Sequence, residues 1–191
     1  MGKHRAVFLD RDGTINEEVE YLSKVADFRF IPGVPEALRR LKDAGYLLVV
    51  VTNQSGIGRG YYDEAALASI HAHMHAELAV SGASIDACYF CPHHPEHAVG
   101  DYRLDCACRK PLPGMLEQAA SDLDIDLAAS FMIGDKLADV EAGINAGCTP
   151  LLVLTGYGSG VAAKLPPGVA SYPDLAAAAD AVLERSAQRA E

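Results

Sequence analysis

Ala6-Val7-Phe8-Leu9-Asp10-Arg11-Asp12-Gly13-Thr14 is the stretch that decides the fold class. Four apolar residues read as a buried strand, and they run directly into two aspartates one residue apart, then into a glycine and a threonine that turn the chain. In an open parallel sheet the carboxyl ends of the strands border the crevice where ligands bind. Residues i and i+2 of an extended segment point the same way, so Asp10 and Asp12 converge on one small volume. Two anions so close repel each other, a conflict that a divalent cation relieves. An aspartate-rich turn is the plainer reading of the same residues, because Asp-x-Asp-Gly is common turn chemistry.

Outward from this run, strand and helix alternate. Residues 15–32 carry polar and aromatic side chains without a sustained period and read as a flap over the strand ends. Pro35 opens a helix that Gly45 closes, Tyr46 to Val51 is a strand buried on both faces, and Thr52-Asn53-Gln54-Ser55-Gly56 again puts polar groups at a strand's carboxyl end. Asp63 caps a helix running to about Val80, Ile85 to Phe90 is a third strand, and a loop of about twenty residues, 91–110, is too long for a plain connection. A helix over Leu112 to Leu123, a strand at Phe131-Met132-Ile133 ending in Gly134-Asp135, a helix from Lys136 to Ala146 with Gly147 after it, a strand at Pro150 to Leu154 and a helical tail from Pro173 complete the pattern. Such alternation predicts an α/β fold: a Rossmann-like, doubly wound parallel sheet with right-handed crossovers. The 191 residues fit one domain, with no insertion large enough for a cap.

Net charge is −10 with no basic stripe, which argues against nucleic acid and against an anionic membrane as partners. No apolar run reaches the ~20 residues of a membrane helix, and the start of the chain lacks a signal-peptide core, so a cytoplasmic protein is expected. Five cysteines are too irregular for a disulfide framework. Three of them crowd with histidines into the 91–110 loop. Thiolates and imidazole in a group of four suit tetrahedral Zn²⁺, and the chosen set is Cys91, His93, Cys106 and Cys108, with His94 or His97 as alternatives to His93. A site with four protein ligands is structural. Cys88 reads as a core residue, and His71 with His75 as a solvated helix face.

The strand ends bring Asp10 and Asp12, Thr52 and Asn53, Arg109 with Lys110, and Asp135 with Asp139 to one crevice. Carboxylates hold a hard cation such as Mg²⁺, a lysine and a hydroxyl serve phosphoryl oxygens, one aspartate can attack phosphorus and a second can move the proton. Asp10-Arg11-Asp12-Gly13-Thr14, Thr52-Asn53, Lys110-Pro111 and Gly134-Asp135-Lys136-Leu137-Ala138-Asp139 resemble, in order and spacing, the four motifs of the haloacid dehalogenase superfamily. The resemblance implies Asp10 as nucleophile, Asp12 as acid and base, and Thr52 and Lys110 as stabilisers of the phosphoryl group. It implies Mg²⁺ on Asp10, the Asp12 main-chain carbonyl and Asp135. Asp139 either orders the site from behind or is a surface carboxylate of its helix.

Cys108-Arg109-Lys110-Pro111 after the cysteine loop is similar to the branch of the superfamily that holds the heptose bisphosphate and histidinol phosphate phosphatases. Thr52 to Gly60 resembles the heptose group, whereas the histidinol group tends to carry aspartate at the place of Ser55. The resemblance implies a monomeric sugar-bisphosphate phosphatase whose Arg109 reads the distal end of the substrate. Arg11, Asn53, Gln54, Ser55 and Lys136 would complete the pocket, and Glu18 to Tyr21 the flap contacts. Glu20 departs from the glycine often found before the flap tyrosine. Histidinol phosphate hydrolysis is the alternative activity, and a non-catalytic phosphate- or zinc-binding module is the alternative of another class.

Overall fold

The computed structural model describes residues 3–188. Six strands, β1 Ala6–Leu9, β2 Leu47–Asn53, β3 Ala87–Cys91, β4 Phe131–Gly134, β5 Thr149–Val153 and β6 Ala170–Tyr172, form one sheet in the order β3-β2-β1-β4-β5-β6. All neighbouring pairs are parallel. The helices are α1 Val34–Asp43, α2 Ser55–Gly58, α3 Glu64–Val80, α4 Gly114–Asp122, α5 Leu137–Ala146, α6 Gly158–Val161 and α7 Leu175–Gln188.

The continuous apolar strands are explained by two cores, one on each face. Val7 and Leu9 of β1, Leu48 and Val50 of β2 and Phe131 and Ile133 of β4 pack against α1, α3 and α7 through Leu38, Met74 and Val182. Their neighbours Ala6, Phe8, Val49, Val51 and Met132 face α4 and α5 through Leu116 and Ala142. A one-residue slip of a strand exchanges the two sets. The resulting mismatch of volumes fixes the register that aligns the strand tips.

β1 is the switch point: the chain leaves it to β2 on one side, and returns to β4 on the other. A crevice opens at the carboxyl ends of strands at such a point. There Asp10 follows β1 and Asp135 follows β4. The flap folds over this edge as a narrow hairpin, with the Glu17 N–H donating to Arg29 O at 2.9 Å and the Ile31 N–H to Ile15 O at 3.0 Å. Leu22 and Phe28 bury beneath it.

Most predicted elements stand where the spacing put them. Asp63 caps α3, its side chain accepting the Ala66 N–H, and Gly147 closes α5 in the left-handed conformation. β2 runs two residues beyond its predicted end, so Thr52 and Asn53 are strand residues. β6, α2 and α6 were not foreseen, each being too short for a period to register.

Candidate active site

Asp10 lies at the floor of the crevice, 4 % exposed, with Lys110 Nζ 3.0 Å from its Oδ1. Lys110 also donates to Asp139 Oδ1 at 2.6 Å, and the other oxygen of Asp139 accepts the Lys136 N–H at 2.9 Å. Asn53, at the tip of β2, holds the returning loop by two reciprocal bonds of 3.0 Å, donating to Lys110 O and accepting the Lys110 N–H. This clamp carries the lysine from the loop to Asp10. Burial alone would raise the Asp10 carboxyl, but Lys110 and Lys136 outweigh it and hold Asp10 below the ordinary carboxylate range. Burial would likewise strip the Lys110 proton. The two aspartates outweigh that and keep it charged.

Asp12 reaches the same pocket with its carboxylate surrounded by donors. Arg11 Nη2 lies 2.9 Å from both oxygens, Asn16 Nδ2 donates to Oδ1 at 3.0 Å, and Gln54 Nε2 donates to Oδ2 at 3.0 Å. Gln54 also donates to Thr52 Oγ1 at 2.9 Å, and Tyr62 donates to Gln54 Oε1 at 2.5 Å. One amide therefore couples the hydroxyl of Thr52 to Asp12.

The oxygens of Asp10, Asp135 and Asp139 gather within 4.8 Å of one another. Asp139 has both oxygens committed to Lys110 and to the Lys136 backbone, so a cation there would break two charge-assisted bonds. Asp135 is different: it is fully buried, its Oδ2 accepts the Tyr157 N–H at 2.9 Å, and its Oδ1 has no hydrogen-bond partner. Burial and the neighbouring Asp10 push its carboxyl up to about 7. A buried oxygen with no hydrogen bond, approached only by Lys136 Nζ at 3.4 Å and lying beside another carboxylate, fits a hard divalent cation. Asp10 and Asp135 are thus the side chains suited to Mg²⁺, and the Asp12 carbonyl belongs to the adjoining turn. The glycines permit this closeness, for a Cβ at Gly13 or Gly156 would stand 2.3 or 2.2 Å from Asp135 Oδ2.

A cavity of about 330 Å³ opens above these groups, and Glu18, Tyr21, Asn53, Gln54, Ser55, Arg109 and Lys136 all line it. Lys136 Nζ bridges the flap and the floor, 3.2 Å from Glu18 Oε2 and 3.7 Å from Asp10 Oδ2. Arg109 is steadied by its Nη1 donating to His93 O at 3.2 Å. Arg11, expected among the substrate contacts, is fully buried and outside the cavity lining, its guanidinium held by Asp12 and His71.

Cys91, His93, Cys106 and Cys108 form a second cluster beside this pocket. Their sulfurs lie 3.5 Å (Cys91 to Cys106) and 3.1 Å (Cys106 to Cys108) apart, and His93 Nδ1 is 3.8 Å from Cys91 and 3.4 Å from Cys108. Ligand atoms at the corners of a zinc tetrahedron are separated by roughly 3.3–3.8 Å; three of these four distances fall in that range and the Cys106–Cys108 pair is slightly closer, so the group suits a metal such as Zn²⁺. His94 is turned elsewhere, its Nδ1 accepting the N–H groups of Glu96 and His97.

Residues 107–181 match the HAD-hydrolase-like family model. The D-glycero-β-D-manno-heptose-1,7-bisphosphate 7-phosphatase of Yersinia pestis is 50 % identical over 152 residues, covering 79 % of this chain and 81 % of that one. The enzyme of the same name from Haemophilus influenzae is 44 % identical over 178 residues, 90 % of this chain and 96 % of its own. This chain belongs to the heptose bisphosphate phosphatase family of HAD-like hydrolases. Among solved structures, the D,D-heptose 1,7-bisphosphate phosphatase of B. bronchiseptica, complexed with magnesium and phosphate, superposes with a TM-score of 0.86 at 41 % identity over 95 % of this chain and 99 % of that one.

Within this heptose bisphosphate phosphatase frame, sequence reading missed the donors around Asp12. Asn16 and Tyr62 carry no motif signal, and only the fold brings them to the site. Asp139 proves to be buried at 1 % exposure, which excludes the surface reading of that residue. His71 is a correction. It was read as a solvated residue with His75, but its Nε2 lies 3.4 Å from Arg11 Nη1, and burial with the Arg11 charge pulls its pKa down to about 4.

Proposed function

We propose that this chain hydrolyses D-glycero-β-D-manno-heptose 1,7-bisphosphate, releasing the 7-phosphate in the cytoplasm on the way to nucleotide-activated heptose. The observation that carries the reading is an anionic Asp10 between Lys110 and Lys136 at the floor of a pocket, in a chain that shares half its aligned residues with 7-phosphatases. Asp10 attacks phosphorus as the bond to the sugar oxygen breaks, and Asp12 gives that oxygen its proton. Asp12 then takes a proton from water, whose oxygen attacks the same phosphorus and frees Asp10. Lys110, Lys136 and the Thr52 hydroxyl offset charge on the phosphoryl oxygens. Mg²⁺ held by Asp10 and Asp135, when bound, adds Lewis-acid stabilisation of that charge. Arg109, at the cavity wall beside the thiolate cluster, is the cation suited to the second phosphate.

Phosphate release from the heptose bisphosphate and from histidinol phosphate, each with Mg²⁺, tests the substrate. The expected outcome is a strong preference for the bisphosphate; equal rates would remove the specificity claim and leave the phosphatase claim. Asp10→Asn is expected to abolish turnover while the folded protein still binds phosphate. A wild-type chain that binds phosphate without turnover would instead identify a binding module.

A further inference from the structure

We propose that His71, on α3 and outside the pocket, is a positioning residue for proton transfer, acting through Arg11 on Asp12; this rests on Asp12 being the acid and base of the reaction. Arg11 is a fully buried cation whose Nε and Nη2 are spent on Asp12, at 3.2 and 2.9 Å. Its remaining terminal nitrogen, Nη1, meets His71 Nε2 at 3.4 Å. A guanidinium only donates, so the imidazole must accept at Nε2 and carry its proton on Nδ1. His71 lines no part of the cavity. Its contribution to the site is to anchor the outer edge of the guanidinium fork, and a planar fork held at that edge fixes the plane of the carboxylate it grips.

The consequence is specific to the proton. Asp12 lies open to the pocket on one side and is gripped by Arg11, Asn16 and Gln54 on the others. Without the acceptor at His71, Nη1 seeks another partner and the fork turns, taking the carboxylate out of line with the leaving oxygen. The Arg11 guanidinium bonds only Asp12 and His71, and Asp10 meets Arg11 through its backbone alone, so phosphoryl binding and nucleophilic attack at Asp10, Lys110 and Asp135 are spared.

Two substrates separate these steps. A sugar phosphate needs a proton on its leaving oxygen, whereas 4-nitrophenyl phosphate releases a stable phenolate without one. kcat/KM reports the first phosphoryl transfer for both. His71→Leu, which removes the acceptor and keeps an apolar fill, is expected to lower kcat/KM on the sugar bisphosphate about tenfold, while changing it less than about twofold on 4-nitrophenyl phosphate. His71→Gln restores an acceptor and is expected to stay within about twofold of wild type on both. Equal losses on the two substrates, no loss on either, or a His71→Gln variant as impaired as His71→Leu would overturn the proposal. Wild-type enzyme inactive on both substrates would instead refute the phosphatase reading itself.

Discussion

Three almost fully buried carboxylates and a lysine occupy the floor of the site, and Lys110 is the group that makes the arrangement tolerable. Its Nζ faces Asp10 and Asp139 at once, and its side chain is 2 % exposed. Replacing it by methionine would leave two buried anions facing each other, a class of change that costs about 3–5 kcal/mol. Lys110→Met is therefore expected to lower the urea midpoint markedly as well as to suppress turnover; a variant as stable as wild type would show that Asp139 is protonated in the fold. A second residue ties stability to pH. Burial and then Arg11 hold His71 neutral down to about 4, whereas the unfolded chain takes up that proton near 6.5. Between those values the unfolded state binds more protons, so the His71 contribution is complete above about 6.5 and is lost as pH falls toward 4, by about 3 kcal/mol in all. The Asp135 carboxyl, raised to about 7, acts in the opposite direction over the same range, so the check is the difference between variants: stability at pH 4.5 relative to pH 7 should be lower in wild type than in His71→Gln. At this scale the sequence was legible where a residue sits in a motif at a strand tip, as with Asp10, Asp12 and Asp135. It was misleading on His71 and on Arg11, because which way a side chain points depends on which element packs against it.

Among the elements, the loop from Cys91 to Lys110 ties the two halves of the site together. Its cysteines and His93 lie beside Arg109, whose guanidinium bonds the His93 carbonyl, and its last residue is the lysine that Asn53 clamps. Chelation of one zinc per chain is expected to raise KM for the bisphosphate and lower the melting temperature, because Arg109 and Lys110 lose their common support. Zinc analysis with melting curves checks this; unchanged KM and melting temperature after complete metal removal would mean the loop holds itself. Asn53→Ala should lower kcat more than KM, since both bonds to the Lys110 backbone vanish at once. The turn after β5 presses on Asp135 through Gly156, at φ 54° and with no room for a Cβ. Gly156→Ala is expected to weaken Mg²⁺ activation about tenfold or more, read as the Mg²⁺ concentration giving half-maximal rate. The cysteine cluster was legible because thiols and imidazole in one odd loop have few other uses. The role of Gly156 was not, because a close approach between two loops leaves no mark on local periodicity.

Over the whole molecule, the fold places chemistry by topology. β1 and β4 lie side by side although 120 residues separate Asp10 from Phe131, and their adjacent tips carry the two carboxylates suited to a cation. The alternation of strands and helices was enough to foresee that edge, since parallel strands buried on both faces must be linked by crossovers that leave all carboxyl ends together. Strand order is another matter, for nothing in a local pattern distinguishes β4 from β3 as the neighbour of β1. The acidic balance and the pocket-lining Arg109 beside Lys110 fit a small phosphorylated sugar.

The central claim is that Asp10 carries the phosphoryl group between two half-reactions. Rapid mixing of the enzyme with Mg²⁺ and D-glycero-β-D-manno-heptose 1,7-bisphosphate, acid quenching within one turnover and mass spectrometry of the peptide spanning Ala6 to Thr14 tests it. The predicted result is a phosphoryl group on Asp10 that rises and decays at rates consistent with phosphate release. Full turnover with that peptide unmodified at every time point would contradict the account.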